Sequence, residues 1–331
     1  MMTGGREIKI NTKIKVPATS ANLGSGFDCL GIALNIYNEV NIEETGSGKI
    51  DVKWANEAVV RDEKNLVYTA FSRTLDMLDF THQGVTINML NQAIPVGKGL
   101  GSSAASVVAG VLGANQIAGK PLSFEEIINV ATEIEGHPDN VVPALVGGMT
   151  VAVQDKGQVA YSKVSIPGSL RFVALIPRFT LRTSAARQAL PGTYSREDLV
   201  FNLSRTAMLV ASMQNSEFHN LRMATEDRIH QPFRMRFMPG AGEIFDELKQ
   251  AGSLAEFISG AGPAIMAMAD GDSAAESLQC KTEAFLEGIT LKKEAGPSGF
   301  SPDVKQDLHR QWTTMVLKPA LYGAAVSRAS G

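Results

Sequence analysis

Residues 95–106 read Pro95-Val96-Gly97-Lys98-Gly99-Leu100-Gly101-Ser102-Ser103-Ala104-Ala105-Ser106. Glycines at alternate positions let a tight turn present several backbone N–H groups to one side. Where such a turn opens onto a helix N-terminus, it makes a nest for phosphate oxygens. The small residues that follow, through Gly110, let the helix run close against a sheet, and Gly119 marks its expected end. The spacing excludes two familiar phosphate loops. A Walker A loop needs its lysine followed by Ser or Thr, whereas Lys98 precedes Gly99. The dinucleotide fingerprint Gly-x-Gly-x-x-Gly fails too, because the third glycine comes one residue early. On this stretch alone, a glycine turn that binds nothing stays open.

Two further segments bear on it. Lys15 to Asp28 reads Lys-Val-Pro-Ala-Thr-Ser-Ala-Asn-Leu-Gly-Ser-Gly-Phe-Asp. It follows an alternating strand (Ile8, Ile10, Ile14, Val16), expected to end at Pro17, and becomes a polar loop of the kind that carries binding groups. Ile258 to Pro263 reads Ile-Ser-Gly-Ala-Gly-Pro and leads into an apolar strand from Ala264 to Met268. In order, the three segments resemble the three motifs of the GHMP kinase superfamily. Finer matches resemble its homoserine kinases: Pro17–Asp28, Gly136–Ala144, Thr183–Pro191 with Arg187 inside it, Val200–Arg205, and Asp227–Arg234. One residue departs from that pattern. Gln231 stands where glutamate is usual, at a position expected to be structural.

Composition is consistent with an enzyme of this kind. The chain has 331 residues, 44% of them hydrophobic and 20% charged, enough for a sizeable core in one large domain or two ordinary ones. A net charge of −3 gives no footprint for nucleic acid. No run approaches the roughly 18 apolar residues of a membrane helix, and Met1 to Ile14 carries charges in place of a signal's apolar region. Cys29 and Cys280 lack metal or redox spacing, which suits reduced thiols in a cytoplasmic protein. The five histidines show no zinc-ligand spacing.

The first half alternates strands and helices. Strand patterns fall at Ile50–Trp54 and Val85–Met89, and a helical pattern spans Asn65–Phe80. Ser123-Phe124-Glu125-Glu126 is a capping box opening a helix to about Glu135. Gly147–Val153 and Val159–Val164 flank Asp155-Lys156-Gly157 as a hairpin. A boundary is expected near Pro167-Gly168, followed by a strand at Arg171–Ile176 and helices at Phe201–Met213, Ala241–Gln250 and Asp272–Gly288. Leu291–Asp307 reads as a connection and Met315–Leu317 as the last strand. Periodicity alone gives only mixed α and β. The resemblance implies an α+β GHMP kinase fold: a ribosomal-S5-like ATP-binding domain over 1–168 and a ferredoxin-like domain over 169–331.

The resemblance also implies ATP-dependent phosphorylation of the side-chain hydroxyl of L-homoserine to O-phospho-L-homoserine, on the way to threonine. ATP would lie on Pro95 and on Gly97, Lys98, Gly99, Leu100, Gly101, Ser102, Ser103 and Ala104, with Asn65 lining the adenine pocket. Ser103 is the better candidate for Mg2+, and Ser102 for a helix cap. Hard Mg2+ takes few protein ligands and keeps its waters, so one carboxylate suffices. Glu133 is preferred for it over Glu135. Asp28, Asp139 and Asn140 are the catalytic candidates, with a turn role for Asp139 left open. Arginine suits a carboxylate through its planar, permanently charged fork. Arg187 and Arg234 match the positions for the substrate carboxylate, and Asn22 and Asp28 those for its amino and hydroxyl ends. His137, Asn140 and Gly260 complete the substrate set. A homodimer is left open. Another kinase of the superfamily, such as a mevalonate-pathway enzyme, is the nearest rival; a catalytically inactive protein of the same fold is the other.

Overall fold

The computed structural model describes residues 10–54, 57–58, 65–288 and 312–328. Strands β1 (Asn11–Ala21) and β2 (Leu30–Glu44) form the antiparallel spine of the first sheet. The expected end of the first strand at Pro17 is corrected: β1 runs on to Ala21, and the register shifts between Pro17 and Ala18. Proline cannot donate to the ladder, and the irregularity accommodates it without ending the strand. The sheet continues through β3 (Ile50–Trp54), β4 (Glu57–Ala58) and β5 (Val85–Gln92), with β3 parallel to β5. Strand β6 (Met149–Asp155) pairs with β2, and β7 (Gln158–Val164) pairs with β6 through the expected hairpin.

Helices α1 (Leu66–Met77), α2 (Ser102–Ile117), α3 (Phe124–Glu135) and α4 (Pro138–Val146) pack together on this sheet. Helix α2 is buried almost all round, which is why its sequence is apolar and small with little amphipathic stripe. A Cβ on Gly113 would lie 2.0 Å from the Ile42 side chain, and one on Gly110 would lie 2.5 Å from the Val67 carbonyl. Small residues here set the approach of α2 to sheet and helix. The Ser123 capping box of α3 forms as expected, with both reciprocal hydrogen bonds.

Between Val164 and Leu170 the chain passes to a second, antiparallel sheet. It contains β8 (Leu170–Pro177), β9 (Ala255–Ile258), β10 (Ile265–Asp270) and β11 (Trp312–Leu317), in the order β11-β8-β10-β9. Helices α5 (Thr183–Gln188), α6 (Arg196–Asn215), α7 (Leu221–Ala224) and α8 (Gln231–Arg234) come between β8 and α9 (Ala241–Ala251). Helix α10 (Asp272–Gly288) follows β10. Leaving α5 to α8 aside, the order β-α-β-β-α-β is that of a ferredoxin-like unit. Side chains alternate across a strand. Phe172, Ala174 and Ile176 of β8 join the main core, while Val173 and Leu175 join a second core with Ile244, Leu248 and Leu278. Burial on both faces explains the nearly unbroken apolar run of β8.

Two expectations in this half are revised. Helix α6 is longer than Phe201–Met213, starting at a Ser195 cap that accepts from the Asp198 N–H. Its exposed Leu199, Val200 and Leu203 blur the periodicity. Nor is β11 the final strand: β12 (Ala325–Arg328) returns to the first sheet and pairs with β1. The division at Gly168 therefore does not separate the sheets cleanly. The connection expected over Leu291–Asp307 lies outside the described residues, as does Ile8. Among the described residues, no helix is long and apolar enough to cross a membrane.

Candidate active site

The loop after β1 starts the site. Asn22, Leu23 and Gly24 have φ values of 69°, 47° and 82°, and Asp28 follows at 55°. Left-handed backbone is costly for a branched residue such as Leu23, so packing must hold it there; Leu23 is fully buried. Asn22 fixes the loop at both ends of its amide. Its Nδ2 donates to the Gly260 carbonyl at 2.8 Å, and its Oδ1 accepts from the Asp28 N–H at 3.0 Å.

The glycine loop lies against this strand. Gly97, Gly99 and Gly101 all have positive φ, and Gly101 is the N-cap of α2. Ser102 is therefore the first helical residue and makes no side-chain cap, correcting that expectation. A Cβ on Gly101 would lie 1.9 Å from Thr19 Oγ1. The Thr19 N–H donates to the Leu100 carbonyl, and Ser259 Oγ donates to the Gly99 carbonyl at 2.6 Å. Ser259 Oγ also meets Ser20 Oγ at 2.7 Å. All three sequence motifs thus converge in space.

Lys98 has another task than the cleft. Its Nζ donates to the Arg178 and Phe179 carbonyls at 2.6 and 2.7 Å, tying the glycine loop to the chain after β8. Burial lowers its pKa. Asn65 caps α1, accepting from the Val67 and Tyr68 N–H groups, and does not line the cleft. Pro95, Leu100 and Ala104 also stand outside the lining, the last two as buried core.

The cleft is lined by Gly97, Gly99, Gly101, Ser102 and Ser103 of the glycine loop and by Asn22, Asp28, Arg187, Arg234 and Gly260. Glu135, His137, Asp139 and Asn140 line it too, with Thr183 and Ala261, which sequence reasoning passed over. The two glutamates weighed for the metal stand in different places. Glu135 Oε2 accepts from Ser103 Oγ at 2.7 Å, while Glu133 lies on the exposed face of α3. Burial raises the Glu135 pKa against the opposing Ser103 hydrogen bond.

His137 precedes α4, and its Nδ1 meets Asp139 Oδ1 at 2.5 Å. Burial disfavours charge on His137, but the hydrogen bond and charge of Asp139 prevail and raise its pKa. Asn140 Oδ1 accepts from Thr19 Oγ1 at 2.7 Å, and its Nδ2 reaches Asp139 at 3.3 Å. Cys29 stays a thiol: burial, then the Asp139 and Asp28 charges, push its pKa up to about 11.

Arg187 and Asp28 are joined across 159 positions by a bidentate pair at 2.8 and 2.9 Å. The two groups assigned to the opposite charges of the substrate therefore neutralise one another here. Arg234 is buried to 1% exposure. Its Nη1 donates to the Gly260 carbonyl and to His230 Nδ1, and its Nε has no partner among the described residues. Burial, then the Arg187 charge, push its pKa down to about 10, so it stays cationic at neutral pH. Phe27 lies under both guanidinium groups, with ring-to-Cζ distances of 5.8 Å for Arg187 and 5.2 Å for Arg234. Phe27 stood inside a quoted motif, yet nothing in its spacing signalled this role.

The remaining motif residues are scaffolding. Asp227 accepts from the N–H groups of Ile229, His230 and Gln231 and from Asn202 Nδ2. Asn202 Nδ2 also reaches the Ser25 carbonyl, linking α6 to the β1 loop. Gln231 is structural, as expected: Oε1 accepts from the Ile258 N–H and Nε2 donates to the Thr225 carbonyl. It makes no hydrogen bond to Arg234 among the described residues.

The model of the GHMP kinases N terminal domain matches residues 65–148, and that of the GHMP kinases C terminal matches 209–287. The homoserine kinase of Clostridium novyi (strain NT) is 43% identical over 95% of this chain and 98% of its own length. That of Petrotoga mobilis is 45% identical over 78% of this chain and 85% of its own. The crystal structure of homoserine kinase from Cytophaga hutchinsonii matches at a TM-score of 0.80 and 27% identity, covering 99% of this chain and 100% of that one.

Proposed function

Since the chain belongs to the homoserine kinases of the GHMP kinase family, we propose that its cleft transfers the terminal phosphoryl group of ATP to homoserine through the residues described above. The observation that carries this assignment is a single one. The same cleft is lined by a glycine nest at a helix N-terminus and by two guanidinium groups, one of them paired with a carboxylate. The first suits polyphosphate; the second suits a small zwitterion with carboxylate and ammonium at one end.

Phosphoryl transfer asks for positioning and charge neutralisation more than covalent chemistry. The N–H groups of Gly97 to Ser103 hold the phosphates, and Arg187 and Arg234 hold the substrate carboxylate. Asp28 takes the ammonium. Asn22 acts on the substrate through the loop it fixes. Asn140 and Asp139 orient the hydroxyl, and Asp139 offers the carboxylate that receives its proton. Ser103 Oγ and Glu135 Oε2, 2.7 Å apart at the head of α2, are a hard-oxygen pair of the kind Mg2+ accepts, and we assign them to it in place of Glu133. Bound there, Mg2+ would offset the negative charge of the phosphates. The two free cysteines favour a cytoplasmic location.

The test is ADP release with homoserine, mevalonate and galactose offered separately, with the product's phosphate located by phosphorus NMR. Homoserine turnover giving an O-phosphate is expected. A preference for mevalonate would overturn the carboxylate-and-ammonium reading.

A further inference from the structure

His230 is fully buried between α8 and the β1 loop, and nothing in the chemistry above uses it. Its two ring nitrogens face partners of opposite kind. Nε2 lies 2.7 Å from the Gly24 carbonyl, which can only accept. Nδ1 lies 2.9 Å from Arg234 Nη1, which can only donate. The partners therefore fix the tautomer: Nε2 carries the hydrogen and Nδ1 is bare. The ring also stacks on Phe27, with centroids 5.2 Å apart and planes 23° apart. Phe27 in turn lies under Arg234. A neutral imidazole thus touches the guanidinium on one edge and, on the other, the left-handed turn that carries Asn22.

We propose that His230 is a positioning residue for the substrate carboxylate, its bare Nδ1 setting the plane of the Arg234 guanidinium while its Nε2–H anchors the turn at Gly24. This rests on the reading that Arg234 holds the carboxylate. The geometry gives it content. A guanidinium binds a carboxylate well only in its own plane. The Gly260 carbonyl and His230 Nδ1 both accept from Nη1 and together remove the freedom of that plane. Nη2 has no hydrogen-bond partner among the described residues, and Arg234 lines the cleft, so the fork is left with capacity for the substrate.

Two substitutions separate the edges of the ring. His230→Asn places an amide oxygen near the position of Nδ1 and keeps an acceptor for Arg234. His230→Gln places an amide N–H near Nε2 and keeps a donor for Gly24. Steady-state kinetics with each substrate varied, alongside urea unfolding of the full chain, reads the difference. The expected result is a homoserine KM within about threefold of wild type for Asn and raised about tenfold or more for Gln, the loss of one charge-assisted hydrogen bond. The ATP KM should hold in both, and both should unfold at somewhat lower urea. A raised homoserine KM for Asn with none for Gln overturns the proposal, as does a parallel rise in both substrates' KM. Arg234→Lys tests the reading beneath it. An unchanged homoserine KM there refutes the carboxylate role and the proposal with it, whereas a raised KM there beside a normal His230→Gln enzyme refutes only the part given to His230. Nitrogen NMR of histidine-labelled wild type needs no variant to fold. Nδ1 should report as the unprotonated nitrogen and shift when homoserine binds; a protonated Nδ1, or no response to homoserine, counts against the proposal.

Discussion

Replacing Arg187 by alanine tests how the free site stores its charges. Arg187 and Asp28 hold each other in a bidentate pair, with side chains 36% and 34% exposed. At that exposure solvent screens the pair, and it contributes about 0.5–1 kcal/mol. A homoserine carboxylate that takes Arg187 gains a charge-assisted bond of about 1.5–3 kcal/mol but gives up the internal pair. The difference, about 1–2 kcal/mol, corresponds to about five- to thirtyfold in affinity. Arg187→Ala should raise the homoserine KM by that factor and leave the ATP KM within about twofold, since among the described residues no hydrogen bond joins the glycine loop to the pair. Lysine at 187 should restore only part, because a point charge cannot replace the fork. A second arm isolates the competition itself. 4-Hydroxybutanoate is homoserine without its ammonium group, so it must pull Arg187 from Asp28 and offer Asp28 nothing. As a competitive inhibitor it should bind Asp28→Asn several times more tightly than wild type. An unchanged homoserine KM in Arg187→Ala, or weaker inhibition of Asp28→Asn by 4-hydroxybutanoate, would refute the reasoning.

Other predictions follow from the same cleft. Gly101→Ala meets Thr19 Oγ1 at 1.9 Å in a left-handed backbone; strain plus the Thr19–Asn140 bond should cost about 2–3 kcal/mol, read by urea unfolding, with a raised ATP KM. A stability equal to wild type would be the contrary result. Glu135→Gln should cut turnover and raise the Mg2+ requirement far more than Glu133→Gln; the opposite ranking would return the metal role to Glu133. The pKa of His137 is raised in the folded protein, so its charge stabilises fully below the ordinary value of 6.5 and is lost as pH climbs through the raised one. The stability difference between wild type and His137→Gln should therefore shrink as pH climbs above the ordinary value, and a difference that grows would contradict the His137–Asp139 assignment.

Sequence carried the local features well. The Ser123 box, the hairpin at Lys156-Gly157 and the glycine loop each depend on residues a few positions apart, where spacing and turn chemistry act directly. What it missed depends on packing. Glu133 and Glu135 are two positions apart on one helix and so point to different sides; only the docking of α3 beside α2 selects Glu135 for Ser103. The Asp28–Arg187 pair spans half the chain, so no window contains it. Lys98 reads as a phosphate ligand by its place in a glycine loop, yet two carbonyls of the chain after β8 claim its ammonium. β12 escaped because all four of its residues are exposed and show no hydrophobic alternation.

The return of the chain to its first sheet bears on how the protein is made. Residues 318–328 are woven through earlier structure: the Asn35 N–H donates to the Lys318 carbonyl, the Ala320 N–H to the Ala33 carbonyl, and the Ala324 N–H to the Ala144 carbonyl. β12 then covers the open edge of β1. During synthesis, which runs at about 5–20 residues per second, β1 leaves the ribosome early, yet its outer edge stays bare until residue 328 has emerged. For that interval the strand leading into the glycine-loop cleft is an unpaired edge, the kind of surface that captures stray strands. A chain ending before Ala325 and the full chain would hold the same cleft residues with β1 uncovered and covered, and protease accessibility of β1 should fall between the two.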